Sequence, residues 1–132
     1  FAAQWVAFLS ININQLLITT TKFRWFQFFL ALVIFCYFAL SPQPHIPGAP
    51  SDNSLHFAGN VLLYMSAWLA LLYRCSVVKL WILLLPFSAS VELAQYFSPG
   101  RVVDGKDLMV NAMGLTVGAS LCFLMSLAVI KR

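Results

Sequence analysis

The residues of this chain with types suited to chemistry fall into three short runs. Asp52, His56 and Asn60 step by four, which stacks an acid, an imidazole and an amide down one side of a helix. Ser88, Glu92 and Gln95 step by four and three, again a single face. Asp104, Asp107, Asn111, Gly114 and Gly118 step by three, four, three and four, a stripe that is acidic above and bare backbone below. Arg101 lies between the last two runs. Carboxylates with an imidazole can hold a divalent cation that neutralises a phosphate, or a carboxylate such as Glu92 can serve as a general base. The Arg101 guanidinium has the fork geometry for two parallel bonds to phosphate. All four carboxylates of the chain are in these runs, and against Arg101 and Lys106 they leave a formal charge of −2. That balance favours a metal, a cationic ligand or pairing among helices over a bare anion pocket. No HxxxH or HxH spacing marks a metal centre, and no cofactor is expected.

These residues must be positioned by membrane helices. Apolar residues make up 61% of the 132-residue chain and charged ones 9%, far from the balance of a soluble domain. Four apolar segments have the length of a bilayer crossing: about 25–40, 57–73, 80–97 and 108–130. Helices satisfy their own backbone groups in lipid, and the alternation a β-barrel requires is absent, so the fold class is all-α. The expected architecture is a polytopic four-helix bundle with an extra N-terminal hydrophobic helix or extension. The chain divides into residues 1–21, broken by Gln4, Asn12, Asn14 and Gln15, and a membrane domain over 22–132. The extension reads as a loosely attached helix. Pro42, Pro44, Pro47 and Pro50 forbid a helix between the first two spans. The short link RCSVVK makes the second and third spans a hairpin. Pro86 should kink the third span and free the carbonyl of Ile82, for which Ser88 or Ser90 is a candidate partner.

Lys22, Arg24, Arg74, Lys79, Lys131 and Arg132 fall at one end of the spans, and Arg101 and Lys106 at the other. The positive-inside rule then puts both chain ends in the cytoplasm, if residues 1–21 do not cross, and every carboxylate at the outer face. The bases form no patch, so nucleic acid is not an expected partner; the lipid bilayer is. Cys36, Cys75 and Cys122 show neither a zinc pattern nor a disulfide framework and read as small hydrophobes. No cleaved signal peptide is apparent, and the first strong span is expected to act as its own membrane signal.

The polar residues also have structural readings. Asp52 and Asp104 sit where helices begin and suit N-caps; Asp107 suits the positive end of a helix dipole. Arg101 can simply neutralise Glu92. Glu92 lies about 7.5 Å below the end of its helix, where an unpaired carboxylate costs up to roughly 2.5–3.5 kcal/mol. It must be paired, protonated or hydrated, and a hydrogen-bond network with Gln95 and Asn111 is one way. Gly114 and Gly118 form a small-xxx-small contact for another helix.

SDNSLHF, VELAQYFSPGR and DGKDLMVNAMGLTVG together resemble the VanZ-like family of bacterial multi-pass membrane proteins. That family's ordered pattern falls here on Asp52, His56, Phe57, Glu92, Gln95, Phe97, Arg101, Asp107, Asn111, Gly114 and Gly118. The resemblance covers residues 22 to about 130, and Asn53 stands where many relatives carry Lys. It implies a bacterial inner-membrane protein of the cell envelope, since the family is named for a protein associated with resistance to the antibiotic teicoplanin. The leading expectation is an outer-face site, built from Asp52, His56, Glu92, Gln95, Arg101, Asp107 and Asn111, that recognises a lipid headgroup or cell-wall precursor. The alternative is a membrane-embedded enzyme acting on a lipid-linked phosphate or glycopeptide-related substrate, with or without a divalent cation. A structural subunit of a larger complex is a third reading, and the oligomeric state is left open.

Overall fold

The computed structural model describes residues 2–42, 48, 51–72 and 74–130, with side chains described for all of these but 2–18 and 129–130. Pro44, Pro47, Pro50, Lys131 and Arg132, and the side chains of Gln4, Asn12, Asn14 and Gln15, lie outside them. Four α-helices carry the fold: α1 (Ala2–Leu40), α2 (Asp52–Leu71), α3 (Val77–Ala94) and α4 (Gly105–Ile130). A 3-10 turn, Gln95–Phe97, extends α3. Each helix contains a stretch long and apolar enough to cross a membrane: Thr19–Leu40, Asp52–Leu71, Val77–Phe97 and Gly105–Ala128. The expected all-α bundle with four spanning helices is therefore present. The N-terminal extension and the first span form one uninterrupted helix.

Helix limits follow from local chemistry. Ser51 and Ser76 are the N-caps of α2 and α3, their hydroxyls accepting from the amides of Ser54 and Lys79. Pro42 cannot continue a helix and biases its predecessor away from helical geometry, so α1 stops at Leu40. Pro86 is accommodated inside α3 without breaking it. Neither nearby serine serves the Ile82 carbonyl: the Ser88 hydroxyl donates to Asn60 Oδ1 and that of Ser90 to the Phe87 carbonyl.

The closest helix pair is α2 with α4. A Cβ on Gly114 would stand 2.6 Å from the Phe57 carbonyl oxygen, and one on Gly118 2.8 Å from Tyr64 Cβ. Bare backbone at these positions lets α4 lie directly on α2. The packed interior is built from Leu63, Tyr64, Ala67, Leu84, Leu115 and Cys122, with Phe35 and Ala39 contributed by α1. Among the four spans, Asp52–Leu71 is the most enclosed and Thr19–Leu40 the least. The Tyr64 hydroxyl donates to the Val77 carbonyl at 2.6 Å, and Gln27 Nε2 donates to the Ser66 carbonyl at 2.9 Å. These bonds fasten the half of the bundle remote from the carboxylates.

Candidate functional site

The C-terminal end of α1, the N-terminal end of α2, the end of α3 and the start of α4 meet at one rim. The turn that carries Arg101 is dictated locally. In Ser98-Pro99-Gly100-Arg101 the Arg101 amide donates to the Ser98 carbonyl at 3.2 Å, and Gly100 has φ +78°. Proline second and a positive-φ glycine third are the demands of a type II turn. The turn directs the guanidinium across the bundle. Arg101 Nη1 donates to Asp52 Oδ1 and Oδ2 at 2.9 and 2.7 Å, Nη2 to the Phe38 carbonyl at 3.1 Å, and Nε to the Ser41 carbonyl at 3.1 Å.

The carbonyls at the end of α1 would otherwise lack partners, since a helix leaves its last four acceptors open. The chain between α3 and α4 closes them. Gln95 Nε2 donates to the Ala39 carbonyl at 2.8 Å and the Ser98 hydroxyl to the Leu40 carbonyl at 2.7 Å, while Arg101 takes Phe38 and Ser41. Tyr37 is met by the Ser41 amide and hydroxyl. Residues 95–101 thus act as a cap supplied from elsewhere in the chain.

Beneath this rim lies a buried polar layer. Asn60, wholly enclosed, donates from Nδ2 to Asn111 Oδ1 and to the His56 carbonyl, both at 2.8 Å, and accepts the Ser88 hydroxyl at 2.7 Å. Asn111 Nδ2 in turn donates to Glu92 Oε2 at 3.2 Å. One continuous chain of hydrogen bonds therefore crosses α3, α2, α4 and returns to α3. Glu92 is only 1% exposed, and its Oε1 has no hydrogen-bond partner among the described residues. His56 sits between the layer and the rim: Nδ1 is 3.7 Å from Glu92 Oε2, and Nε2 is 3.5 Å from both Asp52 Oδ2 and Gln95 Nε2.

The structure brings Asp52, His56, Glu92, Gln95, Arg101, Asp107 and Asn111 to this single end of the bundle. Asn60 and Ser88, which share their helical stripes, belong with them. Two expectations need correction and a third holds. Asp52 is not the α2 cap, which is Ser51; Asp52 instead takes Arg101. Arg101 pairs with Asp52 rather than Glu92, because the turn at Gly100 aims it at the rim and not into the buried layer. Asp104, exposed just before α4, has the N-cap role expected of it, its Oδ1 accepting the Lys106 amide at 3.0 Å, and the buried part of the acidic stripe begins at Asp107. The contribution of α1 is what spacing did not reveal: its role is played by carbonyls. The available signal was Pro42, which opens those carbonyls by ending the helix.

Metal-ligand spacing is absent along the chain yet present in space. Donor atoms of Asp52, His56 and Asp107, from α2 and α4, lie within 4.8 Å of one another. Asp107 is 9% exposed, and no hydrogen bond joins its carboxylate to the described residues. Beside this cluster a groove of about 400 Å³ runs between α1 and α2. Ile34, Phe38, Leu55 and Leu62 line its flank, Asp52 and His56 one end, Gln27 and Ser66 the other.

Comparison with curated proteins and with solved structures finds no match. A family model described as VanZ/LLP1 matches residues 2–126, beginning twenty residues before the motif-based resemblance and so taking in the whole of α1. With that extent of match and the motif residues gathered at one end of a four-span bundle, the chain belongs to the VanZ/LLP1 family.

Proposed function

We propose that the protein binds a membrane lipid, with an alkyl chain in the α1–α2 groove and the polar headgroup at the Asp52–His56 end. The observation that carries this reading is the groove itself. Its volume of about 400 Å³ is that of a small-ligand pocket. Its flank is apolar, one end carries a carboxylate and an imidazole, and the other end carries only the uncharged Gln27 and Ser66. A charged end beside an apolar flank matches the headgroup and alkyl chain of a lipid.

The bases at residues 22, 24, 74 and 79 lie at the opposite end from Asp52, Arg101 and Asp107. By the positive-inside rule the polar end faces outward, at the level of outer-leaflet headgroups of a bacterial inner membrane. Phospholipids and lipid-linked cell-wall precursors share a long alkyl chain, and the apolar lining of the groove suits that common feature. Teicoplanin acts on the precursor pool at this face, so altered susceptibility is the cellular readout that this placement supports.

The test is native mass spectrometry of the protein purified in mild detergent, with and without Ala58→Phe. Ala58 lines the groove and is exposed, so the larger ring fills the groove without entering the core. Wild type should carry a co-purified lipid whose mass identifies its class, and the variant should lose most of it. Wild-type protein free of lipid, or equal retention in Ala58→Phe, refutes the reading.

A further inference from the structure

We infer that Asp52, His56 and Asp107 hold a divalent transition-metal cation at the outer rim of the bundle. The donors come from two helices whose mutual position is set by Gly114 and Gly118, so the cluster is a product of the fold and not of one flexible segment. Ligands of one such ion stand about 2.0–2.2 Å from it, hence up to roughly 4.4 Å apart. Donor atoms already within 4.8 Å of one another need only small side-chain rotations to close on an ion.

Two further observations point to a cation independently of that proximity. Asp107 is nine-tenths buried against Asp52 and His56, with no hydrogen bond to its carboxylate among the described residues. A carboxylate so enclosed needs a counter-charge or a donor. The second is the arrangement behind His56. A ligating imidazole ordinarily turns its other ring nitrogen to a carboxylate, which fixes the ring and its tautomer. Here Nδ1 faces Glu92 Oε2 at 3.7 Å, while Nε2 faces Asp52 Oδ2 at 3.5 Å. Asn111 holds the same Glu92 oxygen from the far side. Glu92 is thus a positioning residue, not a ligand.

Charge completes the case. Asp52, Glu92 and Asp107 gather around His56 with Arg101 as the one guanidinium at that end, paired with Asp52, a formal balance of −2. Arg101 engages both oxygens of Asp52, yet a carboxylate offers about four lone-pair directions, so Asp52 can bind an ion and Arg101 together. One imidazole with two carboxylates suits Mn2+ or Zn2+ better than a purely oxygen-ligated ion. The side chain of Asp52 is 30% exposed and leaves a path for entry from the outer surface. A bound cation also turns an acidic rim into one that attracts phosphate; this second role rests on the lipid reading above, whereas the ion site does not.

The experiment uses full-length protein in detergent, stripped with EDTA and titrated with Mn2+ (electron paramagnetic resonance) and Zn2+ (calorimetry). Wild type should bind one ion per chain. Asp107→Asn and His56→Gln should each weaken binding on the order of tenfold or more, and Asp104→Asn, outside the cluster, should not. Size-exclusion profiles and thermal unfolding establish that each variant is folded. Failure of wild type to bind either ion, or unchanged binding in folded Asp107→Asn and His56→Gln, overturns the assignment whatever the variants' stability. Mn2+-induced broadening of the 31P signal of co-purified lipid separates the two readings. Ion binding with no retained lipid upholds the cation site and removes the lipid function; retained lipid with no ion does the reverse.

Discussion

Arg101 grips Asp52 through both carboxylate oxygens while its other nitrogens hold the carbonyls of Phe38 and Ser41. One side chain from the α3–α4 connection thereby joins the end of α1 to the start of α2. Its guanidinium acts as a clamp, with its donors taken up by Asp52 and the two carbonyls. A planar fork performs this role because its donors diverge in fixed directions, which a lysine ammonium cannot reproduce.

Arg101→Lys should therefore destabilise the protein almost as much as Arg101→Ala. Losing a largely buried partner from an ion pair costs about 3–5 kcal/mol; the partial exposure of Asp52 brings the expectation down to about 2 kcal/mol. Thermal unfolding in detergent reads the effect. In a double-mutant cycle with Asp52→Ala the two losses should be clearly less than additive. Additive losses would show that the clamp does not operate.

Asn60 is the junction of the buried layer, with Ser88, Asn111 and the His56 carbonyl all bonded to its amide. Asn60→Leu leaves Asn111 Oδ1 and the Ser88 hydroxyl unpartnered, each at a cost of about 1–3 kcal/mol. The same substitution combined with Ser88→Ala removes one orphaned group, leaves Asn111 on Glu92 Oε2, and should recover part of the loss. Denaturation midpoints of the two variants decide the point.

Glycine substitutions in α4 should differ sharply by position. A Cβ at Gly114 meets the Phe57 carbonyl at 2.6 Å, a backbone atom that cannot rotate away, and one at Gly118 meets Tyr64 Cβ at 2.8 Å. Gly114→Ala and Gly118→Ala should each cost about 1–3 kcal/mol through forced separation of α2 and α4. Gly105→Ala meets nothing within 4 Å and should be near neutral by the same unfolding assay.

The proposed orientation, with the polar end outward, makes a labelling prediction. In a variant with Cys36, Cys75 and Cys122 replaced, Asn53→Cys lies at the acidic end and should react with a membrane-impermeant maleimide in intact cells. Restoring Cys75 alone, in the link between α2 and α3, should give labelling only after the membrane is opened. The reverse pattern would place the polar site in the cytoplasm.

Much of this was legible before any coordinates. Apolar runs of bilayer length required four helices, because backbone groups in hydrocarbon must bond within their own segment. The three- and four-residue steps through Asp52–His56–Asn60, Ser88–Glu92–Gln95 and Asp107–Asn111–Gly114–Gly118 placed the right residues on common faces, since helical periodicity is a local property. Tertiary structure decided which face meets which. Arg101 finds Asp52 across 49 residues, Gln95 finds the Ala39 carbonyl across 56, and Arg101 finds the Phe38 carbonyl across 63. No spacing rule reaches that far. Nor can a pattern of side chains announce that four backbone carbonyls at the end of α1 will be the acceptors, or that Asp107 will join Asp52 and His56 rather than cap its own helix. Those outcomes depend on how closely α2 and α4 approach at two glycines and on the angle at which a type II turn delivers one guanidinium, both of which exist only once the helices have packed.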